Sequence, residues 1–524
     1  MHPGGVSRTY DVLVVGGGTA GAVIAARLSE DPRRSVGLVE WGPDDRSEPR
    51  ALQIRRWFEM LEGQYDLDYR SVPQPRGNSH IRQARARILG GCSSHNTMIA
   101  LRPPDADFDD WAARGAANWD AASMRPLFDR LQTRIEPVAP AHRNPYLADV
   151  IDSASAALGI PVRDDWNARG DGVGGPTGGG HPDGVGWLPI GYTPQTGVRS
   201  SSSVAYLHPV MDERPNLQVI TNARALRVTV SDGAATGVLV RRDDRTLEEL
   251  GARAEVVVCC GAIDTPRLLL LSGIGPAEQL RAHGLKIVAE VPGVGENLSD
   301  HPEGLLVWEA ARPIPPVSAT DWDVTIMARL LDPNAAVPDV LSHVPLMTYA
   351  VHAEMFGLTL PEHSLSLTPN VTRPRSRGRV WLQSADPDAP PLIDYRAFTD
   401  PEGYDERALL AGMRMARRVA ARAPMSDWVG RELFPGADVE DDEQLSELMR
   451  ATHHTVYHVS CTCRMGAADD PLAVLDPALR VRGVRRLSVA DASAFPSLTT
   501  VNPVVAVLML AERAAELIAR RTAG

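Results

Sequence analysis

The sequence predicts an α/β fold with two domains: a Rossmann-like domain built on a parallel sheet, and a second domain with an antiparallel β-sheet and helices. Three observations support this prediction. The chain has 524 residues, more than one hydrophobic core usually supports. A strand, a glycine-rich turn, a helix and a second strand follow one another near the N-terminus. Residues 312–370 instead alternate short apolar runs with prolines and turns, which is typical of antiparallel strands.

Composition and charge exclude several classes of protein. The hydrophobic content of 44% is ordinary for a globular protein. A formal net charge of -12, with no basic run, argues against binding to nucleic acid. No apolar run approaches the roughly 20 residues that a membrane-spanning helix needs. We therefore expect neither nucleic acid nor membrane among the partners.

Cysteine usage and the first residues bear on the compartment. Five cysteines are an odd number, thinly spread over a long chain, which indicates a reduced intracellular protein. The first eight residues contain no apolar segment, so no signal peptide is predicted. The expected location is the cytoplasm. No set of cysteines and histidines has zinc-site spacing, and no metal is expected.

The N-terminal segment carries a complete dinucleotide-binding fingerprint. A β-branched strand at residues 10–15 leads into a Gly-x-Gly-x-x-Gly turn, a helix of small residues follows, and a second strand ends at the acidic Glu40. The turn allows a pyrophosphate to approach the helix N-terminus, and Glu40 would accept hydrogen bonds from the ribose hydroxyls. The fingerprint alone leaves FAD and NAD both open, but its early position in a long chain favours FAD. Its glycines are Gly16, Gly18 and Gly21.

A second glycine-rich stretch, residues 87–97, is the place around which we expect the site to form. Adjacent Gly90 and Gly91 let the backbone approach a flat or phosphorylated group, and three small residues then precede His95. We interpret this stretch as a loop that lies along a flavin ring. Taken alone, a Gly-Gly-Cys-Ser-Ser run is more often a plain turn, so its meaning depends on the rest of the chain.

Other segments complete the predicted architecture. Residues 216–230 and 255–260 are apolar strands, and residues 105–134, 407–423 and 503–521 are predicted helices. Residues 172–184 are rich in glycine and form a predicted loop, which either covers a site or simply connects two elements.

Several separated stretches together resemble the glucose-methanol-choline (GMC) family of flavin oxidoreductases, across nearly the whole chain. Those stretches are residues 16–21 with Glu40, 86–96, 261–275, 294–301, 458–466 and 489–503. The resemblance implies the GMC fold and FAD as the cofactor. It also implies a discontinuous FAD-binding domain of residues 1–150, 196–300 and 455–524, and a substrate-binding domain of residues 151–195 and 301–454.

Within the family, the chain resembles the choline-oxidising members, because His95 stands where most members have an aliphatic residue. This resemblance implies that the flavin is joined covalently to His95. A covalent bond would raise the flavin potential and favour re-oxidation by O₂. The cofactor-binding residues that the fingerprint and the resemblance imply are Gly16, Gly18, Gly21, Glu40, Gly90, Gly91, Ser94, His95, Asn96, Thr97, Ala225, Asp491 and Pro503.

The resemblance places a catalytic pair at His458 and Asn502. Oxidation of an alcohol requires removal of the hydroxyl proton and stabilisation of the charge that develops on oxygen. His458 either takes the proton itself or stabilises an alkoxide formed otherwise, and both roles stay open. The chain departs from the family pattern at Val459 and Cys461, where proline and glycine are usual, and Cys461 adds bulk behind His458.

A quaternary ammonium group has no N–H to donate, so its recognition requires aromatic faces and a nearby carboxylate. By resemblance, Glu303 supplies the carboxylate and His343 tunes the pocket. Aromatic residues are only 5% of the chain, so several at the expected positions carry weight. The implied aromatic cage consists of Trp57, Trp322, Tyr349 and Tyr457.

The sequence thus predicts an FAD-dependent alcohol oxidase. The resemblance implies oxidation of choline to betaine aldehyde and glycine betaine, by hydride transfer to flavin N5, with O₂ reduced to H₂O₂. The alternatives are an oxidase or dehydrogenase of another primary alcohol or polyol, or a flavin-bound lyase or decarboxylase. The latter should lack the histidine–asparagine pair, which this chain keeps. A homodimer is the family expectation.

Overall fold

A computed structural model describes residues 8–168 and 183–522, and most of the predicted loop at residues 172–184 lies outside this part of the chain. The α-helices of the described residues are α1 Thr19–Leu28, α2 Pro49–Leu52, α3 Asp105–Ala113, α4 Ala121–Phe128, α5 Pro145–Leu158, α6 Gly261–Leu271, α7 Ala277–Ala282, α8 Val351–Met355, α9 Tyr404–Ala420, α10 Asp442–Thr452 and α11 Val504–Arg521.

The strands of the described residues alternate with these helices in the first half of the chain and dominate its middle. They are β1 Arg8–Val15, β2 Val36–Val39, β3 Tyr69–Arg70, β4 Arg82–Gln83, β5 Ile135–Pro137, β6 Gly184–Trp187, β7 Pro189–Thr193, β8 Val198–Arg199, β9 Leu217–Ile220, β10 Ala223–Ser231, β11 Ala234–Arg242, β12 Leu247–Val258, β13 Ile274–Gly275, β14 Ala289–Glu290, β15 Glu296–Leu298, β16 Pro302–Glu303, β17 Leu306–Ala310, β18 Trp322–Ala328, β19 Val340–Pro345, β20 Ser364–Val371, β21 Gly378–Trp381, β22 Leu392–Asp394, β23 Val429–Phe434, β24 His454–Thr455 and β25 Leu487–Val489.

The first large sheet has the order β10-β11-β12-β1-β2-β9, with β25 also paired to β12. Its β12, β1, β2, β9 and β25 pairings are parallel, whereas β10, β11 and the first half of β12 form an antiparallel meander. β1 and β2 are buried because helices cover the sheet, which is why both read as continuous apolar runs. The predicted Rossmann-like domain is confirmed.

Helix α11 packs against α1 and ties the C-terminal end of the chain to the glycine-rich turn. Glu512 is fully buried, and its carboxylate accepts hydrogen bonds from the Arg27 guanidinium and the Tyr206 hydroxyl. A buried carboxylate is tolerated only with such partners. This contact fixes α1 against α11.

The second large sheet has the order β23-β17-β20-β19-β18-β6, and β16 joins β20 to β24. All its pairings are antiparallel, as residues 312–370 predict. Helix α9 packs on β19 and β20 and covers this sheet on one face. The short strands β16 and β24 pair with each other, so Glu303 lies opposite His454, in the segment before His458.

One predicted helix is wrong in extent. Residues 105–134 form two helices, α3 and α4, separated by a turn. Gly115 and Asn118 adopt positive φ angles there, which a helix excludes. The Asp120 carboxylate then caps α4 by accepting from the Ser123 amide. In the part of the chain that the structure describes, no helix is both long and apolar enough to span a membrane.

Candidate active site

A cavity of about 330 Å³ lies between the two sheets. It runs from the first glycine-rich turn, at Gly16 and Gly18, past His95 to the end of the second sheet at Glu303. Residues from both sheets line the cavity, so it brings together residues that are far apart in sequence. This is the place where ligands bind in folds of this class, beyond the carboxyl ends of the parallel strands.

The first turn is built to bring backbone close to a ligand. The Gly16 amide donates to the Val39 carbonyl (2.8 Å), and Gly16 has a φ of 100°. A Cβ on Gly16 would lie 2.5 Å from the Cys259 carbonyl oxygen, so only glycine fits. Glu40 directly follows β2, and its carboxylate accepts from the Gly17 and Gly42 amides at 2.8 and 2.7 Å.

Burial raises the pKa of Glu40 to about 7, although the two backbone hydrogen bonds oppose the rise. Each carboxylate oxygen of Glu40 accepts one backbone hydrogen bond and keeps a lone pair for a further donor. Glu40 lines the cavity at its glycine-rich end, where a ribose is expected in the dinucleotide fold. The geometry therefore supports the predicted role of Glu40.

The second glycine-rich stretch docks against the first. The Gly90 amide donates to the Gly17 carbonyl (2.8 Å), and Gly91 opens a 3₁₀ turn, Gly91–Ser94, with a φ of 54°. A Cβ on Gly91 would lie only 2.7 Å from the Gly18 Cα. The two glycine turns are thus in backbone contact, and together they form one wall of the cavity.

Replacing Gly91 with alanine is expected to lower the free energy of unfolding by about 1–3 kcal/mol and to reduce FAD content. The added methyl group would meet Gly18 and would also suffer the positive φ. Gly159→Ala is the matched control, because Gly159 has a similar φ of 66° but no atom within 4 Å of its Cβ position. Thermal unfolding and the flavin-to-protein absorbance ratio measure both effects. Equal behaviour of the two variants would contradict a steric contact between the turns.

His95 closes the 3₁₀ turn with its ring at the cavity wall. The ring is buried, and neither nitrogen has a hydrogen-bond partner among the described residues. Burial, together with the Arg85 and Arg199 charges, lowers the pKa of His95 to about 3. A buried neutral imidazole without partners is costly, and one that faces a cavity is suited to bond to a ligand there.

The predicted cofactor-binding residues fall into two groups. Ser94 does not line the cavity, because its hydroxyl donates to the Leu89 carbonyl (2.8 Å) and so shapes the turn. Gly21 and Gly90 are also absent from the described lining and hold backbone contacts behind it. The predicted residues that do line the cavity are Gly16, Gly18, Glu40, Gly91, His95, Asn96, Thr97, Ala225, Asp491 and Pro503.

The hydrogen bonds around His458 determine its tautomer. His458 Nδ1 lies 2.8 Å from His301 Nδ1, and His301 Nε2 lies 2.9 Å from the Thr499 carbonyl oxygen. A carbonyl only accepts, so His301 Nε2 carries a proton and donates it. Burial lowers the pKa of His301 to about 4, so the ring is neutral and its Nδ1 accepts from His458 Nδ1.

His458 therefore presents an unprotonated Nε2 to the cavity, where it can accept from the Asn502 amide. Burial and the neighbouring His301 and His343 rings lower the pKa of His458 well below its usual value, which keeps it neutral. Asn502 Nδ2 lies 3.3 Å from this Nε2, and Asn502 Oδ1 has no partner among the described residues. A lone-pair nitrogen beside an amide suits proton removal from a hydroxyl group.

The backbone beside His458 accommodates Cys461 in a conformation that usually belongs to glycine. Cys461 has a φ of 73°, the left-handed region that glycine favours, and its amide donates to the Ala492 carbonyl (3.0 Å). Asp300 holds the other end, because its carboxylate accepts from the His458 amide (2.8 Å). Cys461 is buried away from the cavity, whereas Val459 lines it.

All six residues predicted for the substrate line the same cavity. The Trp322 ring contacts the rings of Trp57, His343 and Tyr349 edge-on, at centroid distances of 6.3, 5.7 and 6.2 Å. The Tyr349 and Tyr457 hydroxyl oxygens lie 2.8 Å apart. The edge-on contacts and the hydroxyl pair together hold Trp57, Trp322, Tyr349 and Tyr457 around one end of the cavity.

Glu303 brings a carboxylate to this aromatic end. It is buried, burial raises its pKa, and its Oε2 has no hydrogen-bond partner among the described residues. His343 Nδ1 lies 3.7 Å from that oxygen, and His343 Nε2 lies 3.5 Å from Asn502 Nδ2. Glu303 and His458 thus belong to one cavity, with His343 between them.

Sequence reasoning missed several neighbours of these residues. Trp41 lines the cavity next to Glu40, and the Arg224 guanidinium lies 3.9 Å from its ring centroid. The position of Trp41 directly after Glu40, the acid of the fingerprint, was the sequence signal that could have identified it as a lining residue. His454 contacts Tyr349 and Asp300 holds His458. The contiguous run from Asp300 to Glu303 could have indicated Asp300, but no local pattern points to His454.

Two family models match the chain, both described as GMC oxidoreductase, one over residues 10–303 and the other over residues 374–511. The chain belongs to the GMC oxidoreductase family. It is 45% identical to choline oxidase from Arthrobacter globiformis, an alignment that covers 99% of this chain and 95% of that protein. It is 31% identical to an oxygen-dependent choline dehydrogenase from Rhizobium rhizogenes, which covers 97% of this chain and 95% of that protein.

Solved structures of the family share the fold. A pyridoxine 4-oxidase from Mesorbium loti superposes with a TM-score of 0.88 at 26% identity, covering 97% of this chain and 98% of that one. A formate oxidase superposes with a TM-score of 0.86 at 22% identity, covering 98% of each chain. The predicted GMC fold and family are confirmed, and this GMC flavin oxidoreductase binds FAD.

The residues present fit that cofactor. The glycine turns leave backbone exposed along the cavity wall, and Glu40 lies at the glycine-rich end, where the ribose is expected. The His95 ring, without a hydrogen-bond partner among the described residues, faces the cavity. These groups would hold FAD along the cavity from the first sheet to the second. The aromatic rings and Glu303 would remain beyond it for a substrate.

Proposed function

We propose that this enzyme oxidises choline through betaine aldehyde to glycine betaine and uses O₂ as the electron acceptor. The observation that carries the proposal is the buried Glu303, whose carboxylate Oε2 has no hydrogen-bond partner among the described residues, in a cavity with four aromatic rings and a neutral His458. Leaving a carboxylate buried and unpaired is costly unless a cation joins it. The trimethylammonium group of choline supplies that cation and fits among aromatic faces.

The chain's own residues account for the proton and the charge. His458 Nε2 accepts the hydroxyl proton, and the donor on Asn502 Nδ2, 3.3 Å away, stabilises charge on the substrate oxygen. His301 orients the His458 ring through the 2.8 Å bond between their Nδ1 atoms. When bound, FAD would supply the electron chemistry, with uptake of a hydride from the alcohol carbon and transfer of two electrons to O₂, which gives H₂O₂.

The second oxidation balances in the same way. The aldehyde adds water to form a gem-diol, which is again an alcohol that carries a C–H and an O–H on one carbon. His458 accepts one hydroxyl proton of the diol, and a further two electrons leave to a second O₂. The cationic end of the substrate is unchanged between the steps, so the contacts with Glu303 and the aromatic rings serve both.

Oxygen consumption tests the proposal directly. The purified enzyme is expected to consume O₂ and form H₂O₂ with choline, and to consume two O₂ per choline when the reaction runs to completion. The uncharged isostere 3,3-dimethylbutan-1-ol is the matched control, because it has the same shape without the charge. A higher kcat/KM for the isostere, or for a polyol, would contradict a choline-specific site.

We also propose that FAD is bonded covalently to a ring nitrogen of His95, because both nitrogens are free among the described residues and face the cavity. Acid precipitation is expected to leave the yellow colour in the protein pellet. In His95→Ala, whose FAD can only be held non-covalently, the colour should move to the supernatant. His80→Ala, a change at a histidine outside the cavity lining, should keep it in the pellet. Colour in the wild-type supernatant would contradict the bond.

The ionisation of Glu303 predicts a pH dependence of specificity. Burial raises its pKa above the ordinary 4.5, so the free enzyme keeps the carboxylate charged at high pH and loses the charge as the pH falls through the raised pKa. The ratio of kcat/KM for choline to that for 3,3-dimethylbutan-1-ol should therefore be constant at high pH and should fall toward low pH. Any limb due to His458 affects both substrates and cancels in the ratio. A ratio that rises as the pH falls would contradict this role of Glu303.

The remaining expectations belong to the same proposal. We propose a cytoplasmic homodimer, with residues 1–150, 196–300 and 455–524 binding FAD and residues 151–195 and 301–454 binding the substrate. The two large sheets support this division, since β1 to β2 and β9 to β12 lie in the first and β16 to β20 in the second.

A further inference from the structure

Two phenols and a histidine form a hydrogen-bonded chain at the aromatic end of the cavity. The Tyr457 and Tyr349 hydroxyl oxygens lie 2.8 Å apart, and the Tyr349 hydroxyl lies 3.4 Å from His454 Nε2. His454 belongs to β24, which pairs with Glu303 across the sheet. Both phenols line the cavity beside Glu303.

The hydrogen-bond partner of His454 Nδ1 determines which group of this chain donates in each hydrogen bond. His454 Nδ1 contacts the Thr455 carbonyl oxygen, which can only accept, so Nδ1 carries the ring proton. The ring is buried, which lowers the pKa of His454 well below its usual value and keeps it neutral. Its Nε2 is therefore a bare acceptor, and the Tyr349 hydroxyl donates to it.

Because Tyr349 donates to His454, its oxygen accepts from the Tyr457 hydroxyl. Burial raises the pKa of Tyr349 to about 12 and that of Tyr457 well above its usual value, so both phenols keep their protons. Each phenol proton is thus engaged along the chain, and each oxygen keeps at least one free lone pair. The order of donation is Tyr457 to Tyr349 to His454.

The two phenols and Glu303 at this end of the cavity consequently offer acceptors. The phenol oxygens and the Glu303 Oε2, which has no partner among the described residues, have lone pairs to share, and the phenol protons are already used. A quaternary ammonium group cannot exploit these acceptors, because it has no N–H. A secondary or tertiary ammonium group can donate to them.

We propose that Tyr349, oriented by His454, is a specificity-determining residue that gives this enzyme efficient use of primary alcohols whose ammonium group carries an N–H. The Tyr349 oxygen accepts from that N–H while Glu303 balances the charge. His454 is a positioning residue in this account, because it acts through the Tyr349 hydroxyl. The inference rests on the proposed function, since it assumes that the cavity binds ammonium alcohols.

Tyr349→Phe tests the inference by removing one oxygen and little else. The substrates are choline and N,N-dimethylethanolamine, which is protonated near neutral pH and differs from choline by one methyl group. The variant is expected to lose about tenfold or more in kcat/KM for N,N-dimethylethanolamine, since hydrogen bonds with charged groups are the strong ones. The loss for choline should be less than about threefold. Equal losses for the two substrates, or a larger loss for choline, would overturn the inference.

His454→Leu tests the orienting role. Without the acceptor at Nε2, the Tyr349 proton is free to turn toward the cavity, so the same substrate-selective loss should follow while FAD content stays unchanged. His352→Asn is the control, because the His352 ring packs on His454 with centroids 4.2 Å apart, but His352 forms hydrogen bonds with Asn78 and His453 rather than with Tyr349. That variant should keep the wild-type substrate ratio. A shifted ratio in His352→Asn that matches His454→Leu would overturn the orienting role, and if His454→Leu does not fold, Tyr349→Phe decides alone.

Flavin reduction in the wild-type enzyme distinguishes failure of the proposed function from failure of this inference. If neither ammonium alcohol reduces the flavin, the proposed function fails, and this inference fails with it. If choline reduces the flavin and Tyr349→Phe leaves the substrate ratio unchanged, only the inference fails.

Discussion

His458→Ala is expected to lower kcat/KM for choline by about 10³-fold, within the range that general acid–base groups contribute. The structure gives the reason: His458 Nε2 is a bare, neutral acceptor on the cavity wall, oriented by the bond from its Nδ1 to His301. Alanine removes the acceptor without altering the contacts of Glu303. Anaerobic flavin reduction and steady-state O₂ uptake should show the same loss, because the affected step precedes oxygen.

The exposed His363 provides a matched control, since its side chain is 46% accessible. His363→Ala should retain wild-type kinetics. Added imidazole then separates the two roles left open for His458. Rescue of His458→Ala by neutral imidazole indicates proton removal, whereas rescue by the imidazolium form indicates stabilisation of an alkoxide. A loss smaller than about tenfold in His458→Ala would contradict a catalytic role altogether.

Glu303→Gln is expected to lower kcat/KM for choline by about 10²-fold or more, the usual consequence of removing one partner of a buried charge pair. The substitution keeps the size of the side chain and removes only its charge. Glu303 is buried at the aromatic end of the cavity, so little solvent screens its attraction for a cation. The loss for uncharged 3,3-dimethylbutan-1-ol should be less than about fivefold.

Glu309→Gln is the control for this charge. Glu309 lies a few residues further along the chain, in β17, with its side chain 43% exposed. It carries the same charge without facing the cavity, so its loss should leave both substrates unaffected. If Glu303→Gln weakened choline and its isostere equally, Glu303 would be a structural residue rather than the partner of the ammonium group.

The parts of the fold that were predictable are those with strong local patterns. Residues 10–40 carry periodicity, turn chemistry and an acid at the strand end, and they form β1, α1 and β2 as expected. The strand at residues 234–242 went unnoticed, because its burial is irregular and its pairing with β10 and β12 is decided by tertiary contacts. The break within residues 105–134 did have a sequence signal, because Gly115 and Asn118 are residue types that adopt positive φ readily and Asp120 is a favoured helix N-cap.

The candidate site was predictable in its members but not in its contacts. Resemblance to the family located His458, Asn502, Glu303 and the aromatic cage, and the structure brings all of them to one cavity. The tautomer of His458 depends on the Thr499 carbonyl, and the protons of Tyr349 depend on His454. Such long-range hydrogen bonds follow from the folded geometry, so no local pattern can reveal them.

Anaerobic mixing of the enzyme with choline in a stopped-flow spectrophotometer tests the central claim most directly. It observes flavin reduction without any contribution from oxygen. We expect that the flavin absorbance bleaches, that the rate saturates with choline, and that 3,3-dimethylbutan-1-ol needs a much higher concentration for the same rate. Absence of bleaching by millimolar choline, with rapid bleaching by an uncharged primary alcohol, would contradict the claim that Glu303 and its aromatic neighbours bind an ammonium alcohol.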